Sequence, residues 1–324
     1  MDTQTSELAR PNVVVVGSLN MDIVIEAERA PLQGETLTGE QVHFIPGGKG
    51  ANQALAAARL GANVTMIGAV GQDKFGQQLI TDLNANGVNT THVAQLSNVT
   101  TGVASIWVTE GDNRIIIVAG ANGKLTPAML REPAIESCLR DADVVLLQLE
   151  TEMETVVQAA QIAAEGDAIV LLNPAPAPAS GTLPPELLSN ATVLVPNQSE
   201  LAGLLGQSAL ETHEEVTQAM HKLASVNNAV VITTLGSDGS AYIDQRNEDN
   251  VEVVYAPAHK VEVVDTTGAG DCFCAALGVA LGRGEIVGQA VTYASAASAL
   301  AVTKFGAQAG MPTQEEVIQF MKRS

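Results

Sequence analysis

The chain has 324 residues, 46% hydrophobic and only 16% charged, which supplies enough apolar material for a continuous core and too little charge for a disordered chain. Its formal net charge of −20, from 16 basic and 36 acidic residues, repels nucleic acid and anionic lipid, so neither is an expected partner. An anionic nucleotide would face the same field and would need local help from backbone N–H groups, a lysine or cations.

Residues 1–10 are polar and lack an apolar core, so they read as a flexible tail and not as a signal peptide. A cytoplasmic protein is expected. Residues 11–324 read as one α/β domain. The β-branched run at 13–16 has the character of a strand buried on both faces. Residues 49–60 have helical composition and stop at Gly61, a good helix-ending residue. A strand is expected at 64–70 and a helix at 77–86, closed by Gly87. Strand–helix alternation resumes with strands at 144–149, 168–172, 193–195 and 230–234. Helices are expected at 152–165 and from Asn197. The pattern specifies a mostly parallel central sheet flanked by helices. The low-charge stretch 286–303 carries a tyrosine, two threonines, a glutamine and serines among alanines, and reads as a core helix rather than a membrane span.

Two segments break the rhythm. Residues 22–43 look extended, and residues 101–119 look like a hairpin around Gly111-Asp112-Asn113. We expect them to form a small inserted β-sheet lid from about 20–46 and 99–120. The competing reading makes them edge strands of the main sheet.

The three cysteines, Cys138, Cys272 and Cys274, have neither the number nor the spacing of a disulfide framework, and no Cys/His cluster has zinc spacing. They read as reduced thiols.

The most informative stretch is Asp265-Thr266-Thr267-Gly268-Ala269-Gly270-Asp271. Its β-branched approach, 261–265, reads as a strand, and a helix is expected from about 270 to 281. The glycines let the backbone curl, so the N–H groups of Gly268, Ala269 and Gly270 can converge on one point at a helix N-terminus. That is an anion hole suited to a transferring phosphoryl group. Asp271, in the first turn, is placed to remain ionised and accept a proton from an attacking hydroxyl. The plainer reading is an ordinary acidic first-turn residue. A dinucleotide site fits poorly, because Phe273 stands where the third glycine of G-x-G-x-x-G belongs. A Walker A loop is excluded, because Gly50 follows Gly47-Gly48-Lys49 where Ser or Thr is required.

The second glycine cluster, Pro46-Gly47-Gly48-Lys49-Gly50-Ala51-Asn52-Gln53, precedes a helix. It brings backbone close to a ligand, with Asn52 for sugar hydroxyls and Lys49 for phosphate charge. A plain helix-capping turn is the alternative. Asn20 and Asp22, just after the first strand, are polar groups at the same level. Asn197-Gln198-Ser199-Glu200 fits a capping box, and Glu200 also suits hydrated Mg²⁺. The turn Thr234-Leu235-Gly236-Ser237-Asp238-Gly239 suits either nucleotide or a bare hairpin.

Together these residues resemble the PfkB, or ribokinase-like, family of carbohydrate kinases. The two signatures at 47–53 and 265–271 carry the resemblance, which spans about 13–312; the box at 197–200 matches the family's N-x-x-E motif. The resemblance implies ATP-dependent phosphorylation of D-ribose at its 5-hydroxyl. By position it implies sugar binding by Asn20, Asp22, Gly48, Lys49, Asn52, Glu150 and Asp271. It implies ATP binding by Asn197, residues 234–239, Gly270 and Ser295, with Mg²⁺ near Glu200. It further implies an activating K⁺ at Asp265, Thr267, Ala301, Lys304, Gly306 and Gly310, and a homodimer through the lid. Another small sugar or nucleoside, deoxyribose or fructose among them, is the nearest alternative substrate. A catalytically silent sugar sensor and a nicotinamide oxidoreductase are the alternatives from other classes.

Overall fold

The structure, a computed structural model, describes residues 9–109, 112–227, 229–246 and 252–323. Most of the tail therefore lies outside the described residues, as does Gly111 of the hairpin turn. The first strand, β1 (Asn12–Val16), pairs in parallel with β4 (Asn63–Gly71) on one side and β8 (Val144–Leu147) on the other. The sheet extends in parallel from β4 to β5 (Val88–Leu96), and from β8 through β9 (Ile169–Leu172) and β10 (Val193–Leu194) to β11 (Val230–Thr234). Two antiparallel strands, β12 (Ser240–Asp244) and β13 (Val254–Ala256), finish that edge and complete nine strands.

Alternate residues of each central strand feed different cores, as the two-residue period of a strand requires. Val13, Val15, Val144 and Leu146 face one core, packed with the helices Lys49–Arg59, Ala269–Gly282 and Val287–Ala301. Val14, Val16, Val145 and Leu147 face the other, under Pro133–Arg140, Met153–Ala164 and His213–Asn227. Burial on both faces explains why these strands are nearly pure Val and Leu. The helix Ala269–Gly282 sits low on the sheet because of Gly278, whose missing β-carbon would lie 2.8 Å from Leu146 Cδ2.

A second sheet stands apart, in the order β3 (Gln41–Gly47), β2 (Asn20–Glu26), β6 (Gly102–Thr109), β7 (Asp112–Val118). β2 pairs antiparallel with β3 and parallel with β6, and β6 pairs antiparallel with β7. Both irregular segments thus build a separate sheet, and neither joins the main one.

Several expectations need correction. Residues 261–265 form no strand. Val263 and Val264 are exposed, and the N–H groups of Val264 and Asp265 both donate to the Val302 carbonyl, so no ladder forms. β5 was not expected: its residues Asn89, His92 and Gln95 interrupt the apolar run that marked the other parallel strands. The helix Lys74–Ala85 starts earlier than expected, because Asp73 caps it by accepting from the Gly76 N–H at 2.9 Å. Among the described residues, no helix is long and apolar enough to cross a membrane.

Candidate active site

Asp271 lies in the first turn of Ala269–Gly282, with only 7% of its surface exposed. Gly268 caps that helix at φ +77°, a left-handed conformation, and a β-carbon there would lie 2.8 Å from Ala307 Cβ. Both demands require glycine. The Ala269 N–H donates to Thr266 O at 3.2 Å, while the N–H groups of Gly270 and Asp271 have no acceptor among the described residues. The converging donors are therefore shifted from the expected set: Ala269 closes the turn, and Asp271 adds its own backbone N–H.

The Asp271 carboxylate meets the second signature directly. Asn52 Nδ2 donates to Oδ2 at 2.9 Å, and Gln53 Nε2 donates to Oδ1 at 3.2 Å. Both amides project from Lys49–Arg59. Burial pushes the Asp271 carboxyl above its ordinary range, opposed by the Lys49 charge and the two amides, and reinforced by Glu150. That direction is opposite to the one expected from the helix terminus. Lys49 is itself held in its charged form: burial disfavours the ammonium, but Asp271, Glu150 and Glu200 more than compensate.

Beside the Gly47-Gly48 turn, Asn20 is buried and its Oδ1 accepts from Asn122 Nδ2 at 2.8 Å. Asp22 stands where a β-carbon at Gly47 would collide with its carboxylate. Gly48 has φ +91°, and a β-carbon there would lie 2.7 Å from the Asn20 N atom. Glu150 Oε2 accepts from Ser18 Oγ at 2.6 Å and from the Lys49 N–H at 3.2 Å. Burial, then Glu150 and Asp271, push the Asp22 carboxyl up to about 7, with Lys49 opposing. Sequence reasoning missed Ser18, Asn122 and Gln53. Asn122 carries no motif signal, whereas Gln53 stood inside the signature at 47–53 and Ser18 inside the family-like run Gly17-Ser18-Leu19-Asn20-Met21-Asp22.

Beside Asp271 opens a cavity of about 600 Å³ lined by Lys49, Asn197, Glu200, Thr234, Leu235, Gly236, Gly268 and Gly270. Asn173, Val195, Ser208 and Leu210 also line it, and none of these was anticipated. Asn197 and Glu200 form a complete capping box: Asn197 Oδ1 accepts from the Glu200 N–H at 2.8 Å, and Glu200 Oε2 accepts from the Asn197 N–H at 2.9 Å. Burial raises the Glu200 carboxyl above its usual range, countered by that N–H and by Lys49. Gly236–Asp238 forms a 3-10 turn joining β11 to β12, so the segment is both a hairpin turn and part of the wall. Ser237, Asp238 and Gly239 do not line the cavity, nor does Ser295, which is half-buried on Val287–Ala301. Cys272 and Cys274 are buried free thiols, and Cys274 touches the cavity wall.

Before the Ala269–Gly282 helix, Asp265 knits a loop together. Its Oδ1 accepts from the Thr267 N–H at 2.9 Å and Thr267 Oγ1 at 2.7 Å, and its Oδ2 accepts from the Gly306 N–H at 2.9 Å. Burial opposes the charged form, but these donors hold the carboxyl below its ordinary range. Gly310 packs so tightly on Ala301 that a β-carbon would collide with the Ala301 carbonyl oxygen. Lys304 turns its ammonium away to Glu316, at 3.6 Å.

A family model described as pfkB family carbohydrate kinase matches residues 10–314. The chain belongs to the pfkB family of carbohydrate kinases. Within that family, it is 40% identical over 310 residues to a ribokinase of Bacillus subtilis, covering 96% of this chain and 99% of the relative. It is 33% identical over 311 residues to a deoxyribokinase of Salmonella typhi, covering 96% and 98%. Among solved structures, it matches the ribokinase of Arabidopsis thaliana complexed with ribose and ATP. That match has a TM-score of 0.90 and 35% identity, covering 98% of this chain and all of the other.

Proposed function

We propose that this pfkB-family kinase transfers the γ-phosphoryl group of ATP to the 5-hydroxyl of D-ribose, giving D-ribose 5-phosphate and ADP. The observation that carries the reading is the Asp271 carboxylate, buried in the wall of a cavity of about 600 Å³ at a helix start whose Gly270 and Asp271 N–H groups have no acceptor among the described residues. Asp271 acts as the general base. As the sugar oxygen forms its bond to γ-phosphorus, its proton passes to Asp271 and the bond to the ADP oxygen breaks. The N–H groups of Gly270 and Asp271, rather than that of Ala269, receive the charge spread over the equatorial oxygens. Lys49 balances negative charge between donor and acceptor.

Asn20, Asp22, Gly48, Asn52 and Glu150 bind the sugar hydroxyls in this reading. Asn197 and the 234–239 turn hold the nucleotide, with Ser295 at its periphery. Glu200 has one carboxylate oxygen committed to its cap, so the remaining oxygen suits contact through water with a hydrated cation. Mg²⁺ bound with ATP supplies charge neutralisation of the phosphates. The loop of Asp265, Thr267, Ala301, Lys304, Gly306 and Gly310 offers an ionised carboxylate and backbone oxygens, a hard donor set suited to K⁺. A potassium ion there would add positive charge behind the anion hole. The second sheet serves as a lid over the sugar, and its exposed apolar residues support a homodimer through the lids.

The deciding experiment measures ADP release with Mg-ATP, KCl and ribose, deoxyribose or fructose. Strong ribose-dependent turnover is expected. Preference for deoxyribose, the substrate class suggested by the deoxyribokinase likeness, would move the substrate and keep the mechanism. Sugar-dependent thermal stabilisation without turnover would make the protein a sensor.

A further inference from the structure

Two glutamines that make no contact with the cavity are arranged in line with the proposed base. Gln148, which follows β8, and Gln53 are both completely buried. Gln148 Nε2 donates to Gln53 Oε1 at 2.6 Å, and Gln53 Nε2 donates to Asp271 Oδ1 at 3.2 Å. Among the described residues, Gln148 Oε1 finds no hydrogen-bond partner, an anomaly for a buried polar atom that asks for a reason. Gly17 keeps the space open, since a β-carbon there would collide with that same oxygen.

We propose that Gln148 and Gln53 form a positioning relay that fixes the Gln53 amide with its NH₂ group toward Asp271, holding the base as an oriented hydrogen-bond acceptor. The inference rests on Asp271 being the base. An ionised carboxylate only accepts hydrogen bonds, so it requires the Gln53 NH₂ group on its side. The Gln53 oxygen then points at Gln148 and requires a donor in turn. Turning the Gln148 amide would set two carbonyl oxygens against each other. Turning both amides would set the Gln53 oxygen against the carboxylate, which only a protonated Asp271 tolerates. The polarity of the relay thus matches one protonation state of the base, and the stranded Gln148 oxygen is the cost of fixing it. Asn52 is oriented on the other carboxylate oxygen in the same manner, its Oδ1 accepting from Gln308 Nε2 at 3.2 Å. The charged groups that face Asp271 are Lys49, Glu150, Glu200 and Asp22, and neither glutamine replaces any of them.

The test is the pH profile of kcat and of kcat/KM for ribose in Gln148→Met and Gln53→Met, near-isosteric variants that remove the amides. Each is expected to lower kcat by up to about 100-fold through misorientation, with KM for ATP changed by less than about twofold. Each is also expected to move the acidic limb to higher pH by about half a unit or more. The double variant is expected to be no worse than Gln53→Met alone. An unmoved limb, unchanged kcat, or additive losses would overturn the relay. Should Gln148→Met fail to fold, Gln53→Met must still show the limb shift, and its absence overturns the proposal. Wild-type turnover with ribose and loss of it in Asp271→Asn are measured alongside. Failure there removes the base assignment, whereas failure in the glutamine variants alone removes only the relay.

Discussion

Asn52 Nδ2 donates to Asp271 Oδ2 at 2.9 Å, joining two helix starts that lie 219 positions apart in the chain. One helix starts at the Gly47-Gly48 turn and the other at Gly268-Ala269-Gly270, and their first turns meet at Asp271. Replacing Asp271 by Asn leaves the shape of the side chain and removes its ability to take a proton. We expect Asp271→Asn to lower kcat by about 10²–10⁴-fold, or roughly 3–5 kcal/mol. Because burial raises the Asp271 carboxyl, wild-type activity should be lost on the acid side at a pH above the ordinary carboxylate range. A steady-state pH profile of both proteins checks this, and near-normal turnover by the variant would remove Asp271 from the mechanism.

The parts legible in the sequence were those with local causes. Continuous Val and Leu runs marked the strands buried on both faces, and the glycines before Lys49 and Asp271 marked the two turns that need close backbone approach. The run at 261–265 misled because β-branched composition describes a residue's preference and not its partner; here the partner is a single carbonyl at Val302. Asn122, and the role of Ser18, were invisible for a related reason. Each earns its place by a contact more than 100 residues away, to Asn20 and Glu150 respectively, and no local pattern records such a contact. Gln148 was hidden in the same way, since its only described partner is Gln53.

Asp22 should be a site where function costs stability. Its carboxyl is pushed up to about 7 by burial and by Glu150 and Asp271. The folded state therefore holds that proton more tightly than the unfolded chain does. The sign follows: the Asp22 carboxyl disfavours the fold increasingly as pH rises from the ordinary carboxylate range, and fully above about 7. Asp22→Asn is expected to raise the melting temperature at about pH 8 and to lose most of that gain by about pH 4. The same variant should bind ribose more weakly. Thermal unfolding across that pH range checks it, and a gain independent of pH would mean that the carboxylate's charge is not the cause.

The cation loop makes a separate prediction at Gly310. A β-carbon there collides with the Ala301 carbonyl oxygen, one of the oxygens proposed to face K⁺. Gly310→Ser should push that carbonyl aside. We expect potassium to stimulate the wild-type enzyme where a bulky organic cation does not. We expect the variant to need about tenfold more potassium for half-activation, equivalent to about 1.4 kcal/mol. Equal rates in the two cations would remove the cation site, and an unchanged potassium requirement in the variant would remove Ala301 from it.

Among the described residues, β7 is the last strand of the second sheet, and its Ile115, Ile116, Ile117 and Val118 are each more than half exposed. Val42 and Phe44 on β3, at the opposite edge, are 53% exposed. Strand geometry puts Ile115 and Ile117 on one face and Ile116 and Val118 on the other, so the strand is apolar on both sides. Such an edge is a liability unless something covers it. A second copy of this sheet, pairing through the lids, would do so while keeping the main cavity open. Ile115→Asp/Ile117→Asp places two charges on one face without touching Asp271 or the cavity wall. We expect sedimentation velocity to show a wild-type dimer and a monomeric double variant. The variant should also have a raised KM for ribose, because each lid would lose its support. A wild-type monomer at micromolar concentration, or a variant that still dimerises, would place the contact elsewhere.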